Sequence, residues 1–138
     1  MFNVLIDYPT FTDEISIVES TTGAAVHELG KVISGEDVLA HQNLVRKVPV
    51  AENITEFAVR LVRATRVGSD EASAAAEEFL AWGAGPRAAQ YLIRGAKTRA
   101  LLDGRPTPDL EDIRRLAHPV LRHRLVSNFH AEAENVGK

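Results

Sequence analysis

AENITEFAVRLVRATR, residues 51–66, is the stretch on which the fold turns. Ile54, Phe57, Ala58, Leu61, Val62 and Thr65 fall at i, i+3, i+4, i+7, i+8 and i+11, which lays one apolar stripe along a helix. Arg60, Arg63 and Arg66 take the other side, a solvated face with Glu56 among its neighbours. Downstream, Gly68-Ser69-Asp70 reads as a loop, followed by an alanine-rich helix reaching Trp82 and ending at Gly83. A further helix starts at Pro86, buries Ala89, Leu92, Ile93, Ala96 and Ala100, and stops at Gly104. Thr107-Pro108 reads as the cap and first turn of a helix whose inner face carries Leu110, Ile113, Leu116 and Ala117, broken at His118-Pro119. Residues 120–129 read as a helical turn running into an extended tail, and 130–138 as a flexible tail.

Upstream, FNVLID (2–7) is β-friendly and is expected as a short strand leading into a connector over residues 1–10. Thr10 with Asp13, and Ser34 with Asp37, carry the spacing of capped helix starts, the first helix fading at Thr21-Thr22-Gly23. Residues 24–33 have weak periodicity and are open to an extended reading, and VPV (48–50) is an extended link. The expected architecture is mainly α: one domain over 11–129 with four to five helices and one or two minor strands.

The composition is that of an ordinary globular domain: 138 residues, 45% hydrophobic and 25% charged. A net charge of −3 gives no global attraction to nucleic acid, so anion binding must come from a local cluster. Cysteine is absent, which removes disulfides, thiolate catalysis and cysteine-bound zinc, and fits a cytoplasmic setting. No apolar run is long enough to span a bilayer, and MFNVLIDYP lacks the pattern of a signal peptide.

Catalytic motifs fail on inspection. The nearest approach to a phosphate loop is Gly30-Lys31, but Ala25 stands in place of the first glycine and Val32 in place of the hydroxyl. No acidic magnesium strand, G-x-S-x-G elbow or H-E-x-x-H is present, and the five histidines are scattered, so no metal site is expected. What stands out is Arg87. A permanent cation sits at the positive end of a helix dipole, where acidic residues are favoured, in a chain with 19 acidic residues. The plain alternatives are a surface arginine or a bridge to Glu77 or Glu78. A bound anion reverses the penalty, because helix-start N–H groups and a guanidinium fork both suit phosphate.

The chain resembles the C-terminal helical lid of the MoxR-type AAA+ ATPases, in order and over about 120 residues. DYPTFTDEISIV is similar to the segment leaving the ATPase core, and LVRATR (61–66) to the lid helix. WGAGPRAAQYLIRGAKTRALLDGR (82–105) resembles the sensor-2 motif and its helix. TPDLEDIRRLAHPVLRHRLVSNF (107–129) is similar to the closing stretch. The interval 67–84 is longer than in the shortest members and resembles a branch with an extra helical segment.

The resemblance implies that Arg87 is the sensor-2 arginine, catalytic through contact with the γ-phosphate of ATP. Gly85 and Pro86 would complete the nucleotide-binding turn, and Arg122, His123 and Arg124 would lie at an interface. It implies a piece of a longer polypeptide whose N-terminal AAA+ core supplies the ATP and Mg2+ site. It further implies a homo-oligomeric ring, a hexamer, with chaperone-like work and a von Willebrand factor A-domain protein as partner. The 138 residues alone are expected to be an inactive monomer binding no cofactor tightly. Trp82 is expected as a core anchor rather than an adenine-stacking residue, and Arg94 and Lys97 as bystanders. Two competing readings are a purely structural oligomerisation domain and a stand-alone helical module. The module would present the Arg114–Arg124 cluster to an acidic partner or nucleic acid, although the acidic net charge and the lack of interleaved aromatics argue against nucleic acid.

Overall fold

Three helices pack against an alanine-rich central helix in the computed structural model, which describes residues 2–24 and 30–136. The order is α1 (Phe11–Thr22), α2 (Gly35–Lys47), α3 (Glu52–Arg63), α4 (Ala74–Phe79), β1 (Leu80–Trp82), α5 (Pro86–Leu102), α6 (Leu110–Leu121), β2 (Val126–Ser127) and α7 (Phe129–Ala133). The mainly α class holds. Helix α7, only 5 residues long, lies in what the sequence suggested was an extended and flexible tail, and α4, the expected alanine-rich helix, is only 6 residues long.

Helix α5 is the hub, packed against α2, α3 and α6. Its buried positions are Ala88, Leu92, Gly95, Ala96 and Ala100, so the stripe is rotated slightly from the expected one, with Ala89 and Ile93 half-buried. Small residues let neighbours approach closely: a Cβ on Gly95 would lie 2.7 Å from Leu116 Cδ1. From α3 come Ile54, Ala58 and Val62, and from α6 Ile113, Val120 and Leu121, to complete the core. The predicted stripe of α3 is thus the one that is buried.

Local chemistry sets the ends. Thr10 caps α1 by accepting from the Asp13 N–H, and Ser34 with Asp37 forms a full capping box on α2. Gly104, at φ +70°, lets the chain turn out of α5.

Several expectations are corrected. Residues 2–7 form no strand. Val4, Leu5 and Ile6 are exposed, and the segment is held by the Asn3 N–H donating to the Pro119 carbonyl at 2.7 Å. The two strands, β1 and β2, pair antiparallel with each other instead. The alanine-rich helix therefore stops at Phe79, not Trp82, because Leu80–Trp82 is extended to meet Val126–Ser127. Trp82 is no core anchor; it is 72% exposed.

The cap of α6 is Asp109 rather than Thr107: Asp109 and Asp112 exchange capping-box bonds, and Pro108 lies outside the helix. Pro119 does not break α6. It removes one ladder bond two residues from the end, the Arg122 N–H resumes bonding to His118 O at 3.0 Å, and buried Val120 and Leu121 anchor the last turn. The expected tail at 130–138 begins as part of α7. Asn128 caps it, its side-chain amide donates to Glu78 O at 2.8 Å, and Ala131 is 1% exposed. Of the weakly periodic segment 24–33, residues 25–29 lie outside the described residues, and 30–32 show no regular structure.

Candidate functional site

The start of α5 is built by the chain before it. Gly85 is the N-cap in an extended conformation, and Pro86 takes the first helical position, where a missing N–H costs nothing. Arg87 follows. No side chain caps this helix start and no acidic residue lies in its first turn. Pro86 has no N–H and the Ala88 N–H donates to Gly85 O at 3.0 Å, so the Gly85 and Arg87 N–H groups are the ones left without an intrahelical partner, beside a cation.

Arg87 is exposed and makes no hydrogen bond or ion pair among the described residues. The bridge to Glu77 or Glu78 weighed from sequence does not form. Glu77 accepts from the Gly68 N–H at 2.6 Å, and Glu78 faces His130 at 3.7 Å.

Gly85 has an ordinary negative φ and open space around its absent Cβ, so nothing within the chain demands glycine there. Gly83 is different. A Cβ on it would fall 2.1 Å from the Thr65 carbonyl oxygen and 2.8 Å from Arg66 Cα. This is a true backbone-to-backbone contact between the end of α3 and the approach to α5.

Two hydrogen bonds fasten the same junction. Thr65 Oγ1 accepts from the Ala84 N–H at 3.0 Å while donating to Val62 O at 2.7 Å, and Arg66 Nε donates to Ala84 O at 3.2 Å. Ala84 is 2% exposed, so both of its backbone polar groups need these partners. From sequence, Thr65 had been placed on the core stripe and Arg66 on the solvated face. The signal that could have found them is the glycine pair flanking Ala84, since only one of the two is explained by a helix cap.

The other basic residues divide. Arg60 pairs with Glu56 at 3.5 Å on an exposed surface, as expected, and Arg63 pairs with Glu71. Within the C-terminal cluster, Arg114 and Arg115 share Glu111, and Arg114 also lies over the Phe57 ring at 5.8 Å. Arg124 is turned onto the Tyr91 ring at 5.2 Å and donates to Val120 O. Arg122 contacts His118 Nδ1 at 3.4 Å. Partial desolvation, with Arg124 nearby, holds the His123 pKa below the usual histidine value. Each of Arg122 and Arg124 thus has a partner of its own, and Arg124 lies against α5 one helical turn from Arg87.

A groove of about 700 Å³ runs between α2, α3 and α5; Arg46, Val59, Ile93, Arg94 and Lys97 are among its lining residues. Arg87 does not line it. Among the described residues there is no group of three or more histidine or acidic side chains able to hold a metal ion, and no helix long and apolar enough to cross a membrane.

Residues 72–138, which carry this helix start and the helices after it, match the family described as the AAA lid domain. The whole chain fits the lid of the MoxR-type AAA+ ATPases. It is 29% identical over 136 residues to Chaperone MoxR1 of Mycobacterium tuberculosis, covering 99% of this chain and 36% of that protein. An uncharacterized protein of Bacillus subtilis, YeaC, is 27% identical over 137 residues, with 99% and 40% covered. Among solved structures, a candidate ATPase from Cytophaga hutchinsonii superposes with a TM-score of 0.86 at 30% identity, covering 99% of this chain and 42% of that one. The chain thus spans about two fifths of the length of these relatives.

Proposed function

We propose that this chain, with its lid domain over residues 11–129, completes an ATP site through Arg87, the sensor-2 arginine, and turns γ-phosphate loss into movement of the lid. The observation that carries this reading is the unpaired guanidinium at the uncapped start of α5. An arginine there is unfavourable to the helix by about 0.3–1 kcal/mol in the absence of an anion, so its position is explained by a ligand rather than by folding.

The residues fit a triphosphate: Gly85 leaves room for close approach, Pro86 fixes the turn, and Arg87 supplies planar donors. They do not by themselves hold Mg2+. Bound with ATP by a nucleotide-binding core, Mg2+ would neutralise phosphate charge.

The reaction is hydrolysis at the β–γ phosphoanhydride, in which catalysis is mainly positioning and charge stabilisation. Arg87 would oppose the charge developing on the transferred phosphoryl oxygens, a contribution of about 10²–10³ in rate by analogy with other preorganised donors. Loss of the γ-phosphate removes a charge-assisted contact worth about 1.5–3 kcal/mol, and the lid is released to rotate. The same reading extends to a hexameric ring doing chaperone-like work in the cytoplasm, with a von Willebrand factor A-domain partner. Residues 1–138 alone, with one arginine and a helix start, would bind ATP only in the millimolar range, about 4 kcal/mol, and would not turn it over.

The test is ATP hydrolysis by the full-length protein with Arg87→Ala. A loss of about 10²–10³ in kcat is expected; unchanged kcat overturns the reading.

A further inference from the structure

We infer that Thr65 and Arg66 are positioning residues for Arg87, holding the start of α5 against the end of α3 so that its guanidinium meets the phosphate in one geometry. The inference rests on the sensor reading of Arg87 and adds residues that reading does not name.

Three contacts converge within two residues of chain. The Thr65 hydroxyl spends its one donor on Val62 O at 2.7 Å and accepts from the Ala84 N–H at 3.0 Å, which fixes its rotamer. Arg66 Nε takes the other backbone group of Ala84, its carbonyl, at 3.2 Å. Gly83 seals the junction, because its Cα has no space for a side chain against Thr65 O. Ala84 immediately precedes the N-cap, and Pro86 restricts φ of the next link but one. Little torsional freedom is left between the end of α3 and the Arg87 backbone. The Ser73 N–H, donating to Ala64 O at 2.9 Å, braces the same end of α3 from the α4 side.

Position matters more than affinity for such a residue. A contact made in the transition state is worth its full value only when the donor is already in place, and displacement by about 1 Å costs on the order of 10²-fold in rate. Loosening the junction therefore lowers kcat and weakens the γ-phosphate contact, while leaving the affinity for ADP, which the core dominates, nearly intact. Arg66 differs from Arg87 in this respect: its Nε is spent on Ala84, and it acts through the backbone.

The experiment compares Thr65→Val, Thr65→Ser, Arg66→Met, Arg87→Ala and the Thr65→Val/Arg87→Ala double variant in the full-length protein, with thermal stability recorded for each. Thr65→Val is expected to lower kcat about tenfold or more with ADP affinity within about twofold, and Thr65→Ser to restore kcat. The double variant should be no slower than Arg87→Ala, because Thr65 acts through that side chain. Arg66→Met, which keeps the stem and loses the donor, carries the same expectation and serves if Thr65→Val does not fold. A slow Arg87→Ala beside normal kcat in Thr65→Val and Arg66→Met overturns the positioning role and leaves the sensor reading standing. Additive losses in the double variant overturn it too. Normal kcat in Arg87→Ala overturns both.

Discussion

Arg105 grips Asp112 with two parallel hydrogen bonds, Nη1 to Oδ2 at 2.9 Å and Nη2 to Oδ1 at 2.7 Å, around a carboxylate that is 2% exposed. Arg99 Nε reaches Oδ1 at 3.3 Å, and the Asp109 N–H donates to Oδ2 at 2.9 Å. One carboxylate thereby ties the end of α5, the turn after Gly104 and the cap of α6. Asp112 is the buried charge of the core and it is fully partnered, the condition under which such a group is tolerated.

The first prediction is acid lability. The Arg105 hydrogen bonds hold the Asp112 pKa down, from 3.8 to about 2, against the opposing effect of burial. A carboxyl depressed in the folded state stabilises above its unfolded pKa, and that stability is lost as pH falls through the folded value. About 2 kcal/mol should therefore disappear between roughly pH 5 and pH 2. Asp37, held down by Ser34, and Glu71, held down by Arg63, act in the same direction. Urea titrations across this range should show Asp112→Asn less stable by about 3 kcal/mol at neutral pH and with a shallower acid slope. An unchanged slope contradicts the assignment.

Two glycines that look alike in sequence should behave oppositely. Gly83→Ala drives a methyl into the Thr65 backbone, which cannot move aside, and should cost about 3 kcal/mol. On Gly95 a methyl meets only the ends of the Leu116 and Phe2 side chains, at 2.7 and 2.9 Å. Replacing that helical glycine also recovers about 1 kcal/mol of helix propensity, so the net change should stay within about 1 kcal/mol. Thermal unfolding of the two variants gives the comparison, and equal losses would count against the close approach at Gly83.

Trp82 is the single tryptophan and lies mostly in water on β1. Its native emission should be long-wavelength, change little on unfolding, and be quenched by acrylamide almost as readily as in the unfolded chain. A blue-shifted, protected indole would place it in a core after all.

Legibility from sequence followed periodicity. The stripe on α3 and the caps at Thr10 and Ser34 depend on neighbours a few residues away, and all were readable. What failed depended on distant partners. Leu80–Trp82 is a strand because Val126–Ser127, more than 40 residues later, pairs with it. The Asp109 cap is the exception: Asp112 answers it three residues on, the same spacing as at Thr10 and Ser34, while Thr107-Pro108 offers a competing start. Residues 2–7 have strand-like composition but find no ladder among the described residues. The site was half legible: the misfit of Arg87 with the helix dipole shows in one dimension, whereas the Thr65 and Arg66 grip on Ala84 spans 18–19 residues and shows locally only as the glycine pair flanking Ala84. Trp82 misled because a large aromatic is usually buried, and here a two-stranded ribbon holds it outside the core.

The most direct measurement is the triphosphate preference of the full-length protein, taken as the ratio of its affinities for a non-hydrolysable ATP analogue and for ADP. Arg87→Ala should cut that ratio by about 10- to 100-fold, the loss of one charge-assisted contact, while leaving ADP affinity and thermal stability essentially unchanged. The same ratio in both proteins would contradict an arginine that senses the γ-phosphate.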